Sequence, residues 1–239
     1  MKQRHERGPA LSPYRPDGPV RAAALLLPGG SVTSHRPPLR LAERPLRDLH
    51  QRLAEAGTAQ GLAVHLLRYR YRGWNGEEAS ALADSRWALA ELERRYGDVP
   101  VCLVGYSLGG RAAFRAAGHR NVAGVVGIAP WLPPGEPVGQ LARRRVLIVQ
   151  PDRDRGDTSP AVSLAYAERA RSVTPEVCRF EVAGVNHYLL RRTAGFWALT
   201  TEFVLGTLTG RGYGPLITQA LASPDGLRVP LAPRYGRST

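Results

Sequence analysis

The sequence predicts an α/β fold, a mostly parallel central sheet with helices on both faces. Two observations carry this. Short aliphatic runs alternate with helical patterns along most of the chain, and strands that are apolar throughout belong to sheets covered on both sides. Residues 101–112 read Val-Cys-Leu-Val-Gly-Tyr-Ser-Leu-Gly-Gly-Arg-Ala, which is strand, sharp turn and helix with a serine at the apex. The serine must stand in a strained turn for its hydroxyl to project alone. The positions two before and two after it must be nearly free of side chain, or helix and strand would collide. Gly105 and Gly109 meet that demand.

The elements follow in order. Residues 1–20 are polar and proline-rich and are expected to form a loose arm. Arg21 to Leu27 reads as a buried strand running into the turn Pro28-Gly29-Gly30-Ser31. Pro45 is expected to open a helix carrying Leu46, Leu49 and Leu53 at helical spacing and ending at Gly57. Leu62 to Tyr69 is the next strand, and Glu77 to Tyr96 the next helix, with Ala81, Trp87, Leu89 and Leu92 among its apolar positions. The serine-bearing turn follows, with a helix to Gly118. Val122 to Ala129 and Arg145 to Gln150 are further buried strands, and Ala161 to Val173 a helix. Glu176 to Val182 alternates as a strand, and an apolar helix spans 188–208. The domain is therefore expected over 21–208. Residues 209–239 form a Gly/Pro-rich C-terminal extension with one short helix near Leu216 to Leu221.

Composition narrows the function classes. The 239 residues carry 43% hydrophobic and 22% charged side chains, as ordinary globular proteins do. The net charge is +13, but Lys2 is the single lysine among 33 basic residues, a skew of the kind that GC-rich coding produces. The arginines are spread along the chain, so the surface reads as solvated and basic, with no nucleic-acid partner expected. Weak attraction to anionic substrates or to an acidic protein stays open. Met1 to Pro9 is followed by no apolar signal core, and the longest apolar run, Ala22 to Leu27, is far too short to span a bilayer. A cytoplasmic protein without membrane association is expected. Cys102 and Cys178 fall in strands and read as buried small hydrophobes. No metal-ligand spacing, phosphate loop or dinucleotide fingerprint is present, so no cofactor and no metal are expected.

In a parallel sheet the site lies beyond the carboxyl ends of the strands. A serine hydroxyl is a weak nucleophile at neutral pH and needs a base, which in turn needs an orienting carboxylate. Of the six histidines, only His187 sits in a short loop after the last strand. His5 lies in the arm, His50 on a helix, His65 inside a strand and His119 at a helix end. His35 lies in the loop after Gly29-Gly30, where it could line the cleft. Ser107 is thus the candidate nucleophile and His187 the candidate base. Asp152, Asp154 and Asp157 are the candidate acids.

With these residues in place, the chain resembles the α/β-hydrolase superfamily. It is most similar to small, cap-poor serine hydrolases of the dienelactone hydrolase and esterase type, over roughly residues 20–208. Ser107, an aspartate and His187 stand in the order typical of that fold. The family's acid loop often reads Gly-x-x-Asp, and Pro151-Asp152-Arg153-Asp154 occupies its place with proline for the glycine. The resemblance therefore implies Asp154 as the acid. A neighbouring aspartate would then cap the next helix or pair with Arg153 or Arg155. The family's oxyanion loop corresponds to Pro28-Gly29-Gly30, without the usual histidine. The resemblance implies the backbone N–H groups of Gly30 and Leu108 as the oxyanion hole, with Ser31 as an alternative first donor. The gap from Pro130 to Arg144, where the fold often inserts a cap, is too short for a folded lid. Trp131 could wall the cleft there, with Trp74 and Tyr188 as further pocket candidates.

The expected activity is hydrolysis of a carboxylic ester through an acyl-enzyme on Ser107. Two alternatives stay beside it. One is a thioesterase or acyltransferase acting on acyl groups held by an acidic acyl-carrier protein. The other is a hydrolase-fold protein that binds a ligand without turnover.

Overall fold

Eight strands form one sheet in the order β1-β3-β2-β4-β5-β6-β7-β8 in a computed structural model that describes residues 8–14, 18–187, 193–232 and 235–236. The strands are β1 (Ala10–Leu11), β2 (Ala22–Leu27), β3 (Leu62–Arg68), β4 (Val101–Tyr106), β5 (Val122–Ile128), β6 (Arg145–Pro151), β7 (Val177–Val182) and β8 (Val229–Pro230). Only β1 pairs antiparallel, against β3, and every other pairing is parallel. The helices are α1 (Arg40–Gly57), α2 (Ser80–Tyr96), α3 (Leu108–Ala116), α4 (Pro160–Arg171), α5 (Thr193–Leu208) and α6 (Pro215–Ala222).

The period-two rule divides the strand side chains between two cores. Ala23, Leu25 and Leu27 of β2 pack with α2, α3 and α4. Ala22, Ala24 and Leu26 of the same strand pack with α1, α5 and α6. Both faces of the sheet are therefore covered, as the unbroken aliphatic strands require. Cys102 and Cys178 are free and buried, and burial pushes both thiols up.

Three segments depart from the sequence reading. Ala10–Leu11, within the expected loose arm, adds an edge strand to β3. There the Ser12 N–H donates to the Leu66 carbonyl and the Leu66 N–H to Ser12 Oγ. Helix α1 starts at Arg40, so Pro45 lies inside it and not at its head. Proline forgoes the bond to Leu41, and burial of Leu46, Leu49 and Leu53 holds the turn in place. Helix α2 starts at Ser80 behind a 3-10 turn at Gly76–Glu78, and Trp87 is 39% exposed.

The C-terminal extension contributes to the sheet through β8, and one buried cation ties it down. Arg179 on β7 is 0% exposed. Its Nη1 donates to the Leu227 carbonyl at 2.8 Å and to Glu181 Oε1 at 2.7 Å. Its Nε reaches Ser163 Oγ, and its Nη2 the Pro160 carbonyl, both at 3.0 Å. Burial lowers the affinity of this guanidinium for its proton, and Glu181 opposes that effect. Arg179→Met would strand two carbonyls and a hydroxyl in the interior. The variant is expected to lose about 3 kcal/mol of stability. For a chain of this size that is a fall in Tm of roughly 6–12 °C. Thermal unfolding checks this, and an unchanged Tm would mean the cation is dispensable.

Candidate active site

The turn after β4 has the strain expected of it. Ser107 sits at φ 55° and ψ −118°, a backbone conformation that non-glycine residues rarely adopt. Its N–H donates to the Ile128 carbonyl at 3.0 Å, and its own carbonyl accepts from Gly110 N at 2.9 Å and Trp131 N at 3.0 Å. The two flanking glycines permit the crossing. A Cβ on Gly105 would stand 2.1 Å from the Gly109 carbonyl oxygen, and one on Gly109 only 2.0 Å from that of Leu27.

The structure brings Ser107, His187 and Asp154 together. His187 Nε2 lies 2.8 Å from Ser107 Oγ, and His187 Nδ1 lies 2.8 Å from Asp154 Oδ2. A carboxylate accepts, so Nδ1 carries the imidazole proton and Nε2 is left to accept from the serine hydroxyl. The Asp154 side chain is 0% exposed and that of His187 27%. The carboxylate is thus shielded while the imidazole reaches solvent.

The other two candidate acids take different work. Asp152 Oδ1 accepts from the Val185 N–H at 3.2 Å, and the Arg153 N–H donates to the Val185 carbonyl at 3.1 Å. These bonds lace the acid loop to the loop that carries His187. Asp157 Oδ2 accepts from the Trp131 indole at 3.2 Å. Neither aspartate caps α4, which is capped by Ser159, and neither has an ion pair with Arg153 or Arg155 among the described residues.

On the other side of Ser107 the turn 28–31 packs against the serine. A Cβ on Gly29 would lie 3.5 Å from Ser107 Cβ, and one on Gly30 3.2 Å from Leu108 Cδ1. The Ser31 N–H is engaged by the Arg72 carbonyl at 2.8 Å. Leu108 is the first residue of α3, and its N–H has no intrahelical acceptor.

The remaining expectations divide. Trp74 is 3% exposed, belongs to the core and meets the Trp131 ring edge to face at 6.1 Å between centroids. Trp131 is half-buried beside Ser107. Tyr188 lies outside the described residues. His35 is exposed and pairs with Glu78 at 2.7 Å. His50 bonds the Val64 carbonyl, and His119 lies 3.4 Å from Glu93. His65 is buried between the Ser12 carbonyl and the Tyr96 hydroxyl, and burial lowers it to about 4. Among the described residues no group of His, Cys, Asp or Glu is placed to hold a metal ion. None of their helices is long and apolar enough to cross a membrane.

One contributor escaped the sequence reading. Tyr106, between Gly105 and Ser107, donates its hydroxyl to the His187 carbonyl at 2.5 Å, and its ring stacks on the imidazole at 5.5 Å between centroids. The pentad pattern accepts any residue at this position, so no sequence signal marks it. Tyr106→Phe keeps the stack and removes the hydroxyl bond. It is expected to lower kcat about tenfold with little change in KM, as loosened positioning does. Steady-state kinetics on a simple ester check this.

Comparison with known proteins agrees with the architecture. The sequence matches the family described as "Alpha/beta hydrolase family" over residues 12–234. A search of curated protein sequences finds no match. Among solved structures, an alpha-beta serine hydrolase homologue from Coxiella burnetii superposes with a TM-score of 0.59 at 18% identity, covering 82% of this chain and 90% of that one. Est1E from Butyrivibrio proteoclasticus, solved with ferulic acid bound, gives 0.62 at 14% identity, covering 84% and 94%. A lid-less serine hydrolase from Xanthomonas campestris gives 0.53 at 16%, covering 82% and 87%.

Proposed function

The chain belongs to the alpha/beta hydrolase family, and from that premise we propose that it is a serine acyl hydrolase cleaving a carboxylic ester. The observation that carries the reading is the relay of two 2.8 Å contacts from Ser107 Oγ through His187 to Asp154. A hydroxyl beside a neutral imidazole nitrogen can surrender its proton as it attacks, and a buried carboxylate on the far nitrogen stabilises the resulting imidazolium.

In this reading Ser107 Oγ adds to the acyl carbonyl while His187 Nε2 takes the hydroxyl proton. The negative charge on the carbonyl oxygen is met by the N–H groups of Gly30 and Leu108. One such donor is typically worth about 3 kcal/mol of transition-state stabilisation. The tetrahedral adduct collapses, the alcohol leaves with the proton from Nε2, and Ser107 holds the acyl group as an ester. Water then repeats the sequence. Its proton passes to His187 and on to Ser107 Oγ as the acid departs. No step calls on a cofactor or metal.

The test is labelling of the pure protein with a fluorophosphonate, read by intact mass and peptide mapping. One adduct on Ser107 supports an activated serine. A panel of esters and carrier-bound thioesters then separates ester hydrolysis from thioester hydrolysis or acyl transfer. An unlabelled serine would replace this reading with that of a binding protein.

A further inference from the structure

The acyl chemistry makes no use of Arg111, yet this residue is held by an unusual set of contacts one helical turn beyond Ser107. Its guanidinium carbon stands 3.9 Å from the centroid of the Trp74 ring and 4.5 Å from that of Trp131. Its Nε and Nη2 donate to Glu136 Oε1 at 2.7 and 2.6 Å. The Arg111 side chain is 15% exposed and that of Glu136 4%. Glu136 is itself pinned, because its carbonyl accepts from Arg169 Nη1 at 2.8 Å and Arg115 lies 4.0 Å from its carboxylate.

The two indoles belong to opposite shoulders of the site. The Trp74 backbone N–H donates at 3.0 Å to the carbonyl of Ser31, the residue after Gly30. The Trp131 N–H donates to the Ser107 carbonyl at 3.0 Å. The Trp131 indole N–H reaches Asp157 Oδ2 at 3.2 Å, and the Leu132 N–H reaches the Asp157 carbonyl at 2.8 Å. Asp157 lies three residues beyond Asp154. One planar cation therefore sits in the corner where the two indoles meet edge to face, 6.1 Å between centroids and 84° between planes, at the junction of the loop carrying Gly30 and the segment that holds the acid loop.

We propose that Arg111 is a positioning residue. Its contacts with Trp74 and Trp131, which lock the edge-to-face meeting of the two indoles, set the spacing of the Gly30 loop and the Asp154 loop around Ser107. This rests on the proposed role of Ser107 as nucleophile. A planar guanidinium suits the place, since it can present its face to an indole while its edge donates to a carboxylate. Packing alone would not select it. A buried ion pair gives little net stability over apolar side chains of the same volume, because both charges lose their hydration. What the pair supplies is a fixed geometry, and a displacement of about 1 Å at a reacting group costs on the order of 10²-fold in rate.

The test is the double variant Arg111→Met/Glu136→Gln, which leaves no buried charge unpaired, with p-nitrophenyl acetate and fluorophosphonate as probes. Its Tm is expected to stay within a few degrees of the wild type. kcat is expected to fall about 30–100-fold with KM changed less than about threefold, and Ser107 labelling to slow by the same factor as kcat. Arg111→Lys keeps the charge but loses the planar face, and is expected to recover only part of the rate. Trp131→Phe keeps an aromatic face but removes the bond to Asp157, and serves if the double variant does not fold. It is expected to lower kcat about tenfold. A folded variant with wild-type kcat and labelling rate overturns the positioning role while leaving the assignment of Ser107 intact. A wild-type protein that is not labelled overturns both.

Discussion

Ser107→Ala is expected to lower ester turnover by roughly 10⁶-fold and to abolish fluorophosphonate labelling, as loss of the nucleophile does in serine enzymes. The substitution removes one oxygen. It leaves His187, Asp154 and the amides of Gly30 and Leu108 in place, so the residual rate reports what binding and the proposed oxyanion donors supply without covalent chemistry. The side chain makes no hydrogen bond other than the 2.8 Å contact with His187 among the described residues. Stability should therefore stay within about 1 kcal/mol of the wild type, which thermal unfolding checks alongside the kinetics. Turnover within tenfold of the wild type would transfer the chemistry to another group and end the acyl-enzyme reading.

Gly109→Ala is expected to be severely destabilising for a single added methyl group. Its Cβ would lie 2.0 Å from the Leu27 carbonyl oxygen and 2.5 Å from that of Pro28. Both obstacles are backbone, so no rotamer change relieves them. Helix α3 would have to retreat from the end of β2, carrying Leu108 away from Gly30. The expected cost is about 4 kcal/mol or more, the range reserved for severe backbone conflicts. Any folded fraction should also show reduced labelling of Ser107. Gly139→Ala is the control, because a Cβ there meets nothing within 4 Å, and its stability should stay within about 0.5 kcal/mol of the wild type. A Gly109→Ala protein as stable and active as the control would mean that the turn does not depend on the close crossing.

The candidate site was legible where its chemistry is local. Gly105, Ser107 and Gly109 announce themselves because one tight crossing of strand and helix dictates all three positions. His187 was legible for a related reason, being the one histidine in a short loop after a strand of the parallel run, β7. The contributors that arise from contact between distant loops left no such mark. Tyr106 occupies a position that the pattern leaves free, and Arg111 meets Glu136 across 25 residues of chain. Trp74 stood in the sequence only as a pocket candidate. Its indole packs against Arg111, 37 residues further along the chain, and no residue near it in sequence reveals this contact.

By itself the sequence determined the alternation of buried strands and amphipathic helices, and with it the parallel sheet. Apolar runs and helical spacing are properties of neighbouring residues, and burial acts on them wherever the chain goes. It also determined the serine at the apex, because steric conflict between backbone atoms is equally local. Spacing alone left Asp152, Asp154 and Asp157 open and the family resemblance pointed to Asp154, but only the tertiary structure decided what work the other two aspartates take, how Ala10–Leu11 finds the edge of β3, and why Arg179 can lie wholly inside the protein. Each of these depends on which polar atoms converge from segments far apart in sequence. A buried carboxylate, strand edge or cation is stable only when the completed fold supplies its partners.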